Sequence, residues 1–479
     1  MTDASRGHDG RTARHAVVIG GGLAGMLAAA ALDGHADRVT VVDRDALPDV
    51  PEPRRGLPQA HHAHLLWSGG ARAIEELLPG TVDRWTGAGA RRIPLPTGLV
   101  SMSASGWLRR FPEMQFLIAC SRDLLDWTVR EQLVHRPSVT VLQRSELLEL
   151  RGDARRVTGV RIREEDGTER VLDADLVVDA SGRGSRAPQL LRELGVGPVE
   201  SEEVDSGLAY ASRIFRAPEG TEDYPLVNVQ SDARVPVPGQ TATIIPIEGG
   251  RWLVTLSGTR GGQPTASAEE FESFARGVRH PVVGELIARA EPLTDVVVTR
   301  STVNRRHFLE RVADWPDGFV VLGDAVATYN PVYGHGMTVA AKGALAMREE
   351  LVRSGLGAPG LARRMQRAIA RPVATAWDLA TATDILYPGA KGKQPGRSSA
   401  LLRRYMDRLM LTATSRPLVT RTLFDVMTLS APPQALLRPE VALAVARGPR
   451  REPLAGPPLT EGERRCLERT EAVPEETGA

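Results

Sequence analysis

The residues best placed to do chemistry begin near the N-terminus. Gly20-Gly21-Gly22-Leu23-Ala24-Gly25 lies between an apolar, β-branched run, AVVIG, and a helix-forming run, MLAAAAL. A G-x-G-x-x-G turn in that setting binds a pyrophosphate. Gly20 permits the tight turn, Gly22 lets the backbone approach the phosphates, and Gly25 lets helix and strand pack closely. The N–H groups of Leu23 and Ala24 open the helix toward the anion. Asp43 ends the next β-branched run, VTVVD, where a carboxylate accepts hydrogen bonds from an adenosine ribose. Arg44 beside it is placed to touch the adenosine or to sit in solvent.

A second locus lies far downstream. Gly323-Asp324-Ala325 closes the run GFVV, and Pro331, Gly334, His335, Gly336 and Met337 follow. A strand delivers a carboxylate beside a glycine-rich loop and a new helix. Asp324 suits ribityl hydroxyls. N–H groups near Gly334–Met337 suit a flavin pyrimidine, and the helix N-terminus stabilises the negative charge of a reduced flavin. A plain nicotinamide dehydrogenase has no use for this second site, so the pair of motifs points to FAD.

The third motif, DLVVDASGRGS, carries Asp179 and Gly182. It resembles the middle fingerprint of the aromatic-hydroxylase class of FAD monooxygenases. All three motifs stand in that family's order, with Arg122 at its helix-borne arginine. Ser181, Ala327, Thr338 and Gly343 depart from the family's usual Asp, His, Asn and Asp. A closer likeness is carried by RRGLPQAHHAHLLWSGGARAIEELLPGT, ACSRDLLDWTVRE, DASGRGS, STVNRR and LGDAVATYNPVYGHGM. Together these look like the bacterial flavin epoxidases of polyether ionophore biosynthesis. That resemblance implies epoxidation of the alkenes of a linear polyketide polyene, by way of a flavin C4a-hydroperoxide, in polyether antibiotic biosynthesis. It places Arg55 and Arg122 at the cofactor. The flavin loop Pro331, Gly334, His335, Gly336 presents the reagent, and no catalytic side chain is required. The implied co-substrate is O2, and the electrons come from NAD(P)H directly or through a separate flavin reductase. The implied partner is a hydrophobic polyene, free or carrier-bound. An aromatic hydroxylase and a prenyl reductase of the same fold remain the alternatives. A halogenase fits poorly, because no lysine precedes Lys342.

His61, His62 and His64 have no carboxylate or cysteine partner nearby in sequence, so a structural role beneath the flavin loop is expected and no metal. Trp107, Phe111, Phe116 and Tyr210 are candidate pocket walls, with core packing the plain alternative.

The elements that must position these residues follow from the patterning. The expected fold is α/β, a Rossmann-like FAD-binding domain with an inserted, mainly antiparallel β-sheet substrate domain and a helical C-terminal region. The FAD domain is drawn over 15–98, 118–200 and 299–370, and the substrate domain over 99–117 and 201–298. Helices fill 371–448, and flexible tails cover 1–14 and 449–479. Lys+Arg 60 against Asp+Glu 59 gives a net charge of +1, which offers no electrostatic footprint for nucleic acid. Two cysteines make no disulfide framework and fit a reducing cytoplasm. The apolar run Val17–Leu32 is broken by patterned glycines, so it reads as neither signal peptide nor membrane span.

Overall fold

The computed structural model describes residues 13–54, 56–300, 302–394, 396 and 399–471. HAVVI and RVTVV are rich in β-branched residues, which suits strands buried on both faces. They form the strands His15–Ile19 and Arg38–Val42. LAGMLAAAAL holds no β-branched residue and forms the helix Leu23–Leu32, followed by Gly34 at φ +81°.

Within the described residues these strands join a five-stranded parallel sheet. Its order is Phe319–Val321, Leu176–Asp179, His15–Ile19, Arg38–Val42, Val139–Leu142. The register sets Ile19 beside both Asp179 and Val42, Asp179 beside Val321, and Val42 beside Leu142. The carboxyl ends of the strands therefore share one edge. Gly20, Asp43, Asp179 and the Gly323-Asp324 pair all hang from it, and that is the edge where open parallel sheets bind ligands.

A seven-stranded, mainly antiparallel sheet runs in the order Val297–Thr299, Ala209–Arg216, Arg251–Gly258, Gln240–Ile247, Leu226–Val229, Leu99–Ser103, Gly106–Trp107. Its central hairpin turns at Gly249 and Gly250, both at positive φ. Gln115–Ala119 belongs elsewhere and pairs with Arg91–Leu95 and Leu66–Trp67. The segment 99–117 is thus shared between two sheets. The helices Gly336–Ser354, Leu361–Asp384, Ser399–Ala413, Pro417–Met427 and Pro439–Arg447 make up the helical C-terminal region of the expected α/β architecture. The helix Leu361–Asp384 continues through Pro372, so a domain boundary at residue 370 falls inside one element.

The segment after Pro449, expected as a flexible tail, is docked as far as it is described. Leu454 bridges to Trp107, Leu459 is buried, and the helix Glu461–Glu471 lies against the seven-stranded sheet's core. Arg110 holds Glu463 at 2.5 Å, with both side chains 16% exposed. Single leucines set among Pro, Glu and Arg anchor a chain that composition alone marks as mobile. Residues 1–12 and 472–479 lie outside the described residues. No helix among the described residues is long and apolar enough to cross a membrane.

Candidate cofactor and active site

Two of the motif glycines are demanded by the chain's own packing. Gly20 has φ +102°, and a Cβ there would lie 2.5 Å from the Ala180 carbonyl oxygen. At Gly25 a Cβ would lie 1.7 Å from the Gly20 carbonyl oxygen. Gly22 is different. Its backbone is extended, with φ −78° and ψ −178°, and a Cβ would meet only the Arg54 guanidinium, at 3.2 Å. The folded chain does not need a glycine at 22, but a pyrophosphate approaching the helix N-terminus does.

Asp43 is buried and accepts the N–H of Gly21 at 2.5 Å and that of Asp45 at 2.8 Å. It also pairs with Arg54 at 3.5 Å. The acid thereby ties the glycine turn to the second strand. Arg44 is exposed, and Arg55 lies outside the described residues. The arginine that reaches the turn is Arg54. Two adjacent arginines in an irregular loop carry no periodicity that tells which one turns inward, and sequence reasoning missed it.

Asp179 is 1% exposed. Its Oδ1 accepts the Ser181 N–H at 2.9 Å and the Ser181 hydroxyl at 2.5 Å, and its Oδ2 accepts the Ser185 hydroxyl at 2.7 Å. Both oxygens are committed to their own loop, so Asp179 shapes the wall of the site. Gly182, at φ +77° with open space where a Cβ would stand, presents bare backbone. This loop and Asp324 line one open cleft of about 290 Å³, with Arg183, Val303, Arg305, His307 and Thr328.

Asp324 accepts no hydrogen bond from the described residues, which leaves its oxygens available to ribityl hydroxyls. Burial raises its carboxyl above the ordinary range, and the charges of Arg122 and Arg183 oppose that rise. Arg122 opens the helix Arg122–Val134, which Ser121 caps by accepting the Leu124 N–H at 3.2 Å. Its guanidinium is 10% exposed and is held by Asp126 at 2.6 Å. A Cβ at Gly336 would stand 3.6 Å from Asp324 Oδ1, so the first turn of the helix Gly336–Ser354, with Met337 in it, meets the carboxylate.

The loop before that helix is braced from several sides. Gly334 has φ +65°, and the Trp67 indole donates to the Tyr333 carbonyl at 3.2 Å. Asn330 accepts the Val332 N–H at 3.2 Å, ahead of Pro331. Tyr210, expected on a pocket wall, is buried here: it donates to Asn330 Oδ1 and accepts the Val332 N–H at 2.7 Å. His335 is 1% exposed. Its Nε2 donates to the Met427 carbonyl at 3.0 Å, which leaves Nδ1 unprotonated, and burial holds the imidazole down to about 4. A neutral ring pinned to the C-terminal helices is a packing element and a poor proton donor.

Of the three histidines expected beneath the flavin loop, His61 is exposed, and the other two have structural employment. His62 bridges Ser212 at 2.8 Å and Thr299 at 2.7 Å, and burial lowers it to about 4. His64 bonds the His62 carbonyl at 2.7 Å and is lowered to about 3 by burial and by the Arg122 charge. His62 thereby fastens the 58–67 segment to the seven-stranded sheet, and His64 braces that segment from within. The remaining aromatic candidates do not converge, because the 99–117 segment divides between sheets. Trp107 meets His280 edge-on at 5.1 Å in the core of one. Phe116, on the other, lies under the Arg92 guanidinium at 4.2 Å. Phe111 is half-buried in the connection, its carbonyl accepting the Thr97 hydroxyl at 2.8 Å.

Comparison with known proteins agrees with this geometry. Protein Rv3254 of Mycobacterium tuberculosis is 29% identical over 395 residues, covering 80% of this chain and 82% of that protein. The structure of PqsL, a probable FAD-dependent monooxygenase from Pseudomonas aeruginosa, superposes with a TM-score of 0.55 at 20% identity, over 78% of this chain and 94% of PqsL. The p-nitrophenol 4-monooxygenase PnpA from Pseudomonas putida DLL-E4 gives 0.57 at 16% identity, over 92% and 99%. At those identities the two structures speak for the fold, that of the aromatic-hydroxylase-like FAD monooxygenases. A family model described as FAD binding domain matches residues 14–357, from the glycine turn through the Gly323–Gly336 loop, so the chain belongs to that family and its cofactor is FAD.

Proposed function

We propose that this chain is an FAD-dependent monooxygenase that epoxidises alkenes of a hydrophobic, linear polyketide polyene, as polyether antibiotic biosynthesis requires. The observation that carries the choice of an alkene is that the histidines and tyrosines around the loop, His335, His62, Tyr210 and Tyr333, are each committed to a hydrogen bond within the chain. Burial adds to this by lowering His335 and His62 and raising the two phenols from their ordinary values. A phenol substrate gains from a base that takes its proton, whereas an alkene is its own nucleophile and needs none.

In this reading Gly22 and the helix N-terminus hold the pyrophosphate, and Asp43 and Arg54 flank the adenosine. Asp324 takes the ribityl hydroxyls, and the N–H groups of Gly336 and Met337 face the pyrimidine. When bound and reduced, FAD supplies an electrophilic oxygen atom derived from O2. The chain's part is to orient the alkene and exclude water. Overall, alkene, O2, NAD(P)H and a proton give epoxide, water and NAD(P)+. The reducing equivalents arrive from NAD(P)H at this chain or through a separate flavin reductase.

Aromatic hydroxylation is the second reading, favoured by the fold likeness to p-nitrophenol 4-monooxygenase. Incubation of the FAD-loaded protein with reductant, O2 and either a trisubstituted-alkene polyketide or a phenol, read by mass spectrometry, separates the two. Epoxide from the polyene supports the proposal. A catechol from the phenol with the polyene untouched overturns it.

A further inference from the structure

The Asn330–Tyr333 loop rests on a buried carboxylate that the cofactor contacts do not use. Asp384 is the last residue of the helix Leu361–Asp384 and is 1% exposed. Its Oδ1 accepts the Tyr333 hydroxyl at 2.7 Å, and its Oδ2 accepts the side-chain amides of Asn304 at 2.7 Å and Asn330 at 3.0 Å. Asn304 in turn accepts the Asn330 N–H at 2.6 Å. The helix, the strand Asn304–His307 and the loop therefore meet on one side chain.

These donors are all neutral. A helix C-terminus disfavours a negative charge. Burial pushes the carboxyl up from its ordinary range, and the hydrogen bonds oppose it. An apolar side chain would often stabilise such an interior as well or better, so packing alone gives little reason for an acid here. What the acid does provide is a fixed position for Asn330 and Tyr333: its two oxygens accept from three donors, the arrangement that suits an ionised carboxylate, and that charge would sit behind the loop in surroundings that screen it weakly.

We propose that Asp384 is a positioning residue for the flavin: its buried charge fixes the Asn330–Tyr333 loop and holds the flavin's reduction potential down. This rests on the reading that Gly334–Met337 carry the flavin. The test uses the FAD-loaded full chain and its Asp384→Asn, Asp384→Ala and Tyr333→Phe variants. Two quantities are read: the FAD dissociation constant by flavin fluorescence, and the reduction potential against a reference dye. Asparagine can present its carbonyl to Asn304 and Asn330 and its amide to the Tyr333 oxygen, so it keeps the network while removing the charge. Asp384→Asn should raise the potential with FAD affinity within about threefold of the parent. Tyr333→Phe, which keeps the charge, should shift the potential less. Asp384→Ala should weaken FAD by about tenfold or more; if it does not fold, Asp384→Asn still decides the matter. A potential in Asp384→Asn equal to the parent's overturns the proposal. A Gly336→Val change that left FAD affinity untouched would overturn the loop reading and this proposal with it. A weakened Gly336→Val beside an unmoved Asp384→Asn potential overturns the proposal alone.

Discussion

The glycines of the first motif separate folding from binding residue by residue. Gly25→Ala forces a Cβ onto the Gly20 carbonyl oxygen and should lower the melting temperature sharply or prevent folding. Gly22→Val has space and an ordinary extended backbone, so its melting temperature should stay close to the parent's while FAD affinity falls by about tenfold or more. Thermal unfolding of the apoprotein and flavin titration read the two effects, and a Gly22→Val variant that holds FAD as tightly as the parent would remove the pyrophosphate from this turn. The buried histidines make a pH prediction. His62 and His335 titrate near 6.5 when unfolded and are held to about 4 in the folded chain. A depressed histidine contributes stability that is fully present above about 6.5 and is lost as pH falls toward 4, by roughly 3 kcal/mol for each ring at the extreme. Urea midpoints should therefore fall across that interval. His62→Gln, which keeps a donor and an acceptor, should flatten the slope; parallel slopes would contradict the assignment.

At the scale of elements, what was legible in the sequence was what is decided locally. The strands His15–Ile19 and Arg38–Val42 and the helix Leu23–Leu32 carry their periodicity and glycine punctuation within a few residues. The contacts that span elements carried no such mark. Nothing local distinguishes Arg54 from Arg55, and nothing near Asp384 announces that Tyr333, Asn330 and Asn304 converge on it. The end of the chain shows the same limit. Leu459 is a lone leucine in a polar stretch, yet it is buried in the core beneath the seven-stranded sheet. Leu459→Ala should cost about 2–3 kcal/mol in denaturant unfolding. A loss too small to measure would mean that the segment after Pro449 packs only loosely.

At the scale of the whole molecule, the register of the parallel sheet brings Gly20, Asp43, Asp179 and Asp324 to one edge, next to the seven-stranded sheet to which His62 fastens the 58–67 segment. The order of the three motifs along the chain already implies that assembly. The pocket did not follow from the same reading, because the aromatics proposed to line it divide between two sheets and the underside of the flavin loop. The proposed activity of this assembly is the addition of one oxygen atom from O2 to an alkene. The most direct measurement supplies the FAD-loaded protein with reductant, an alkene-bearing polyketide and 18O2 in unlabelled water, and weighs the product. The expected product is an epoxide carrying one heavy oxygen for each alkene converted. A product whose new oxygen comes from water, or one that gains two hydrogens without O2, would contradict it.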